Sequence, residues 1–66
     1  MNATTILRLP AVLARTGLSR STIYAKVACG EFPGPVHISE RAVGWTAADV
    51  EAWIAARIAE SRRPRT

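Results

Sequence analysis

The sequence predicts a small, mainly α-helical fold that carries one β-hairpin, and three observations lead to this prediction. Two short stretches with apolar residues at helical spacing are separated by a turn at Gly17, which predicts a helix-turn-helix. Two segments of alternating apolar residues flank the polar "SER" at positions 39–41, which predicts a two-stranded wing. A longer amphipathic stretch from Thr46 predicts a C-terminal helix. This order of elements is a winged helix-turn-helix.

The first helix is predicted in "LPAVLARTG", from residue 9 to residue 17. Pro10 suits the first turn of a helix, where its missing N–H group is not needed. Leu9, Val12 and Leu13 lie within one turn of each other on one face. Gly17 is a favourable residue for ending a helix. A helix this short depends on packing for its stability.

The second helix is predicted from Arg20 to Cys29. Ser19 precedes it and is a strong N-cap candidate, because its hydroxyl accepts hydrogen bonds from the free N–H groups of the first turn. Gly30 ends the helix, and Pro33 and Pro35 prevent it from resuming.

The segment "GPVHISERAVGW" predicts the hairpin. Val36 and Ile38 flank His37 in its first half, and "VGW" repeats the pattern in its second half, so the alternation predicts a ribbon with one apolar face. The polar residues 39–41 form the predicted tip. A two-stranded ribbon is not stable alone, and we expect this one to pack on the helices.

The C-terminal helix is predicted in "TAADVEAWIAARIAES". Thr46 caps it, and Asp49 three residues later completes a near-capping box. Val50, Trp53 and Ile54 form an apolar stripe. The predicted core of the protein is Leu9, Val12, Leu13, Leu18, Ile23, Val27, Phe32, Ile38, Val43, Trp45, Val50, Trp53 and Ile54.

Chain length and net charge restrict the number of domains and the class of partner that we expect. The 66 residues predict a single domain with its core at about 8–60, a short polar N-terminal segment over residues 1–5 and a basic tail over residues 61–66. Nine Lys and Arg residues against five Asp and Glu residues give a net charge of +4. This excess favours a polyanionic partner, foremost nucleic acid, although ordinary surface charge is the plainer interpretation.

Several function classes are disfavoured by the residues present. Cys29 is the sole cysteine and His37 the sole histidine, so we expect neither a disulfide nor a metal cluster. There is no nucleophile–base set, carboxylate pair or phosphate loop, so we expect no enzyme and no cofactor. The N-terminus does not have the pattern of a signal peptide, and no apolar stretch approaches the roughly 20 residues that cross a bilayer. These features predict a cytoplasmic protein without a membrane partner.

The second helix is predicted to direct a narrow polar face to solvent, because Ile23 and Val27 occupy its other side. The outward residues are short or carry hydroxyls: Ser21, Thr22, Ala25 and Cys29. Small side chains allow a helix to enter the DNA major groove, which is about 12 Å wide. Arg20, at the helix start, suits a guanine edge or a phosphate.

The candidate DNA contacts lie on this helix and at the wing. They are Ser19, Arg20, Ser21, Thr22, Tyr24, Lys26, His37, Ser39 and Arg41. Plainer interpretations stay open beside these: hydroxyls at a helix start often serve as caps alone, Tyr24 suits the edge of the core, and a tip with Glu40 next to Arg41 suits pairing with itself. The tail residues that add phosphate attraction, or are merely solvated, are Arg62, Arg63 and Arg65.

Over residues 8–58 the chain resembles the AlpA-type prophage regulators, small MerR-like winged helix-turn-helix proteins related to phage excisionases. The segments "TGLSRSTIY", "GEFP" and "RAVGW", in this order and spacing, carry the resemblance. It implies a bacterial or phage DNA-binding regulator of mobile-element genes, with a recognition helix over residues 19–26 and a wing at residues 39–41. It also implies that Phe32, Trp45 and Trp53 are core residues.

The chain departs from this family at three positions where a basic residue is common. Ala25 follows the tyrosine, Cys29 precedes the helix-ending glycine, and His37 lies in the first wing strand. Each departure removes positive charge from the expected DNA face. We infer that specificity depends on few contacts, or that several copies bind side by side.

Three hypotheses for function follow. The first is sequence-specific binding of double-stranded DNA for transcriptional control, in a nucleoid-associated protein of the bacterial cytoplasm. The second is an excisionase-type architectural role, in which several copies coat and bend an attachment site; the sequence alone does not separate these two. The third is an adaptor that docks on a larger protein such as an integrase. Binding to a second copy of the chain, in tandem or as a dimer, is compatible with the first two.

Overall fold

A computed structural model describes residues 5–64 and confirms the predicted winged helix-turn-helix. Two helices are followed by a hairpin and a third, longer helix, and a short strand that was not predicted precedes them all. The elements are β1 (Ile6–Leu7), α1 (Leu9–Thr16), α2 (Arg20–Ala28), β2 (Val36–Ser39), β3 (Ala42–Thr46) and α3 (Ala47–Ser61). The expectations for residues 1–4 and for Arg65 lie outside the described residues.

The turn between α1 and α2 is built by local capping. Gly17 has a φ of 74°, a left-handed conformation that favours glycine, and its N–H group donates to the Leu13 carbonyl at 2.8 Å. Ser19 then caps α2, because its Oγ accepts a hydrogen bond from the Thr22 N–H group at 3.2 Å. The predicted caps of both helices are therefore confirmed.

The end of α2 is fixed by a second left-handed glycine. The helix ends at Ala28, one residue before the predicted end, and Gly30 has a φ of 82°. The Lys26 carbonyl accepts two hydrogen bonds beyond the helix, from the Glu31 N–H group at 2.8 Å and the Phe32 N–H group at 3.2 Å. The chain thus turns sharply away from α2 toward the hairpin.

The sheet has three antiparallel strands in the order β1-β3-β2. Strand β1 pairs Ile6 with Thr46 and Leu7 with Trp45. Leu7 is only 7% exposed, so it belongs to the core, although it was absent from the predicted core. A two-residue strand is too short to show an alternating pattern in the sequence, which explains why it was not predicted.

The predicted single apolar face of the hairpin is wrong. At the tip, Ser39 pairs with Ala42, and a regular ladder from this pair would place Val36 opposite Trp45 on one face. The register instead shifts at a bulge between residues 37 and 39, so that Val36 pairs with Gly44. A shift of one residue moves a side chain to the opposite face of the sheet. Apolar residues of β2 and β3 therefore lie on opposite faces.

The consequence is an outer sheet face that stays exposed. Ile38 was predicted to lie in the core but is 47% exposed, which corrects that prediction, and Val43 is half-buried. Ile38 and Ile6 close over Gly44, where a Cβ atom would lie 2.5 Å from Ile6 Cγ2 and 3.0 Å from Ile38 Cδ1. Glycine is therefore required at position 44, because these two side chains approach its backbone too closely for a Cβ atom.

The core lies between the inner sheet face and the three helices. Its buried members are Leu7, Val12, Ile23, Phe32, Trp45 and Val50. Partly buried residues pack against them: Leu9, Ala11, Leu13, Leu18, Val27, Ala47, Trp53 and Ile54. With the exceptions of Ile38 and Val43, every predicted core residue belongs to one of these two groups.

Aromatic residues fasten the loop after α2 to the rest of the protein. The ring of Phe32 makes edge contacts with Trp45 and Trp53, at centroid distances of 6.5 Å and 5.0 Å. The indole N–H of Trp45 donates to the Pro33 carbonyl at 2.8 Å, and that of Trp53 donates to the Glu31 carbonyl at 2.7 Å. The C-terminal end of α2 is thereby held against β3 and α3.

Candidate nucleic-acid interface

Helix α2 exposes the face that the sequence predicts. Ile23 is completely buried and fixes the rotation of the helix about its axis. Arg20, Ser21 and Ala25 are exposed on the other side, and Thr22 is half-buried. The orientation on which the sequence-based site depends is therefore the orientation observed.

The exposed side of α2 carries a surface depression. A shallow, open groove of about 350 Å³ lies along it. The residues that line this groove are Ser21, Thr22, Ala25, Lys26, Cys29 and Glu31. Ser21, Ala25 and Cys29 recur at intervals of four residues, which places their small side chains in one row along the helix. We refer to this surface as the α2 groove.

The hydroxyl groups at the start of α2 are linked to each other. Ser19 Oγ donates to Thr22 Oγ1 at 2.9 Å while it accepts from the Thr22 N–H group. It also lies 3.5 Å from Ser21 Oγ. A hydroxyl donates only one hydrogen bond, and Ser19 gives its proton to Thr22, so Ser21 is the donor in its contact with Ser19. Of these three hydroxyls, Thr22 keeps its proton for a ligand.

Positive charge on α2 is divided between a free and a paired side chain. Arg20 is exposed and forms no ion pair within residues 5–64. Lys26, in contrast, places its Nζ atom 3.3 Å from Oε1 of Glu31. Tyr24 is 46% exposed and stands outside the core cluster, which disfavours the interpretation of this residue as a core-edge aromatic.

The wing candidates lie on a separate element. His37, Ser39 and Arg41 are exposed on the hairpin, and no hydrogen bond or ion pair in the described part of the chain joins them to α2. Neither Glu40 nor Arg41 forms an ion pair within residues 5–64, which disfavours a tip that pairs with itself. The structure thus brings the α2 candidates together and leaves the wing candidates as an independent group.

The cations of the described residues fall into two groups, those with an ion pair and those without one. Arg15 and Arg57 are engaged by Glu51 and Glu60 on α3, at 3.3 Å and 3.1 Å. The cations without an ion pair among the described residues are Arg8, Arg20, Arg41, Arg62 and Arg63. The basic excess of the sequence is thus available at the surface rather than consumed by internal pairs.

Glu31 belongs to the α2 groove although the sequence analysis did not single it out. It was noted only within the "GEFP" segment. The signal that would have identified it is its position directly after the helix-ending Gly30 and five residues after Lys26. A tight turn at that glycine returns the chain to the last turn of the helix, which brings the carboxylate to the lysine.

Other kinds of site find no support in the described residues. Between residues 5 and 64 no group of three or more His, Cys, Asp or Glu side chains is placed to hold a metal ion. Within the same range, no buried side-chain nitrogen or oxygen lacks a hydrogen-bond partner. None of the helices described is long and apolar enough to cross a membrane.

The fold and the α2 groove define a class of protein, the winged helix-turn-helix proteins. A family model described as "Prophage CP4-57 regulatory protein (AlpA)" matches residues 5–58. The chain therefore belongs to the AlpA family of prophage regulatory proteins, as its resemblance implies. The match begins before residue 8 and so includes β1, the strand that the sequence analysis did not predict.

Two relatives are similar over most of this chain. The protein ORF88 of Enterobacteria phage P4 is 47% identical over 57 residues, which cover 86% of this chain and 65% of the phage protein. This chain therefore spans about two thirds of that relative's length. The DNA-binding transcriptional activator AlpA of Escherichia coli strain K12 is 36% identical over 62 residues, covering 85% of this chain and 89% of that activator.

Proposed function

We propose that the protein is a single-domain regulator that binds double-stranded DNA sequence-specifically and controls transcription of phage or mobile-element genes. In this proposal it acts in the bacterial cytoplasm, at the nucleoid. The observation that carries the proposal is the α2 groove, an exposed helix face with small side chains and Arg20 at its start. The name of the E. coli relative, a DNA-binding transcriptional activator, supports it independently.

The start of α2 suits an anionic ligand. Ser19 uses its hydroxyl to cap the Thr22 N–H group, which leaves the N–H groups of Arg20 and Ser21 without a partner in the described chain. No acidic residue occupies the first turn. Free N–H groups at a helix N-terminus attract phosphate, so we infer that this end of α2 meets the DNA backbone or a base edge.

The remaining candidates have complementary roles in this proposal. Ser21 and Ala25 admit the helix deeply because they add little bulk, and Arg20 contacts a guanine edge or a phosphate. Tyr24 lies beside them and suits the sugar-phosphate backbone. The wing contributes the second contact through His37, Ser39 and Arg41, which reach a phosphate or the minor groove.

A small contact surface favours the binding of several copies. Helix α2 has nine residues, and Arg20 is its one described cation without an ion pair. Several copies on adjacent sites would multiply this limited affinity. The same arrangement serves an excisionase-type role, and the footprint distinguishes the two: a site that overlaps a promoter indicates regulation, and direct repeats at an attachment site indicate architecture.

The experiment selects bound fragments from genomic DNA of a host bacterium and measures affinity for them against salt concentration. If about 4–6 phosphates are contacted, log K falls with log salt at a slope of about −4 to −5. A slope near zero would contradict DNA binding and would favour a protein partner such as an integrase. Footprinting the strongest fragment then gives the operator.

Replacing Arg20 tests where the DNA binds. We expect Arg20→Ala to cost about 1–3 kcal/mol of binding free energy on the selected site and to relax specificity at one position. Arg15→Ala is the matched control, since it removes the same charge from a side chain that pairs with Glu51 on α3. Equal losses for both variants, on every sequence, would contradict a base contact by Arg20.

A further inference from the structure

Glu31 is the one acidic residue among the described residues that line the α2 groove. Its Oε1 lies 3.3 Å from Lys26 Nζ, and its side chain is 65% exposed, against 31% for that of Lys26. The ammonium group of Lys26, on the proposed DNA face, is therefore paired with a carboxylate of the same chain. This pair differs from the other two ion pairs, which lie on α1 and α3.

The position of Glu31 is fixed by its backbone. Its N–H group donates to the Lys26 carbonyl at 2.8 Å, and its own carbonyl accepts the indole N–H of Trp53 at 2.7 Å. The next residue, Phe32, is buried between the two tryptophan rings. The backbone of residue 31 is therefore held at the end of the groove by the core, and its side chain reaches Lys26 from that position.

We propose that Glu31 is a specificity-determining residue, which neutralises Lys26 and keeps DNA phosphate away from the C-terminal end of the α2 groove. This inference rests on the proposed DNA-binding function. Phosphate contacts supply nearly all the affinity for random sequence, because each one releases counterions regardless of the bases. A carboxylate that forms an ion pair with a lysine at the interface removes one such phosphate contact.

The effect is larger on random DNA than on the specific site. In a non-specific complex the protein adjusts its position until its free cations meet phosphates, so a released Lys26 always finds one. In the specific complex, base contacts fix the position of α2 and the phosphates within reach are already set. Neutralisation of Lys26 therefore lowers affinity for competing sequences more than affinity for the operator.

The test compares Glu31→Gln with Glu60→Gln on two duplexes, the selected fragment and a random sequence. Glu60 is the matched control because it is also an exposed ion-pair partner, 3.1 Å from Arg57, and its removal changes net charge equally. We expect Glu31→Gln to raise affinity for random duplex about 5–10-fold at 0.1 M salt and to steepen the salt slope by about 0.9. The ratio of specific to random affinity falls by about threefold or more, because random duplex gains the phosphate contact of Lys26 and the selected site does not.

Two further measurements keep the outcomes distinct. The gain disappears when Glu31→Gln is made on a Lys26→Gln background, because no lysine remains to be released. The melting temperature stays near that of the parent, because the contacts that hold residue 31 are made by its backbone.

If Glu31→Gln and Glu60→Gln have equal effects, or if both duplexes gain equally, the role of Glu31 is overturned while DNA binding stands. Absence of salt-dependent binding by the parent protein would overturn the proposed function instead.

Discussion

Helix α2 and the outer face of the hairpin expose surfaces of opposite character. The α2 groove is lined by short and hydroxyl-bearing residues together with one ion pair, and Ile23 on the other side of the helix is completely buried. The outer hairpin face exposes Val36 and Ile38, with Ile6 beside them. One surface thus carries small and polar side chains, whereas the other exposes branched apolar ones.

The difference shows which side of each element packs against the rest of the fold. Helix α2 is held by its buried side and leaves the other side free for a ligand. The hairpin is held by Trp45, whose ring is fully buried on the inner sheet face and whose indole N–H bonds to the Pro33 carbonyl. Substitutions on the two faces of the hairpin should therefore differ sharply in their effect on stability.

The largest effect is expected from Trp45→Ala. Removing a fully buried tryptophan costs about 3–5 kcal/mol, which is most of the stability available to a domain of this size. We expect little or no folded protein at 25 °C, measured by circular dichroism and urea unfolding. Ile38→Ala, on the opposite face of the same hairpin, is expected to cost about 1 kcal/mol or less. Equal losses would contradict the bulged register.

Gly44→Ala is expected to have the next largest effect on stability. A Cβ atom there would lie 2.8 Å from the Leu7 carbonyl oxygen and 2.5 Å from Ile6 Cγ2, so β1 has to move away from β3. Overpacking of this kind costs about 1–3 kcal/mol. Gly34→Ala is the control, since a Cβ atom at Gly34 meets nothing within 4 Å. Urea unfolding of the two variants gives the comparison, and equal stability of Gly44→Ala and Gly34→Ala would contradict the close packing of β1 against Gly44.

Ser19→Ala is expected to have a smaller effect on stability. It removes the cap of α2 and leaves the Thr22 N–H group without its acceptor, at a cost of about 1 kcal/mol. Ser21→Ala removes a neighbouring exposed hydroxyl that is not the cap and is expected to change stability by less than about 0.5 kcal/mol. If thermal unfolding gives the reverse order, Ser19 serves the ligand rather than the helix.

The same two regions show what the sequence makes predictable. The caps at Ser19 and Gly17 depend on residues within four positions, and the structure contains both. The outward row of α2 follows from helical spacing and the burial of Ile23. The hairpin register, in contrast, depends on a bulge at residues 37–39 for which the sequence has no signature.

Two features that the sequence analysis missed depend on contacts between elements. Strand β1 exists because Leu7 pairs with Trp45, some 38 positions away, and its two residues carry no pattern of their own. Glu31 returns to the α2 groove through the tight turn at Gly30, and Trp53 holds its carbonyl from α3. Contacts of this kind are decided by packing between elements. The outward face of α2 was therefore predictable from helical spacing, whereas the acid at its end was not.

We propose that the α2 groove approaches DNA closely enough for side-chain size to matter. The most direct test is the affinity of Ala25→Leu for the selected DNA fragment, with Ala55→Leu on α3 as the matched control; both alanines are exposed, so both variants should fold. We predict that Ala25→Leu lowers affinity at least about tenfold, because the longer side chain holds the helix out of the major groove, whereas Ala55→Leu leaves affinity within about twofold. Unchanged binding by a folded Ala25→Leu protein would contradict the claim.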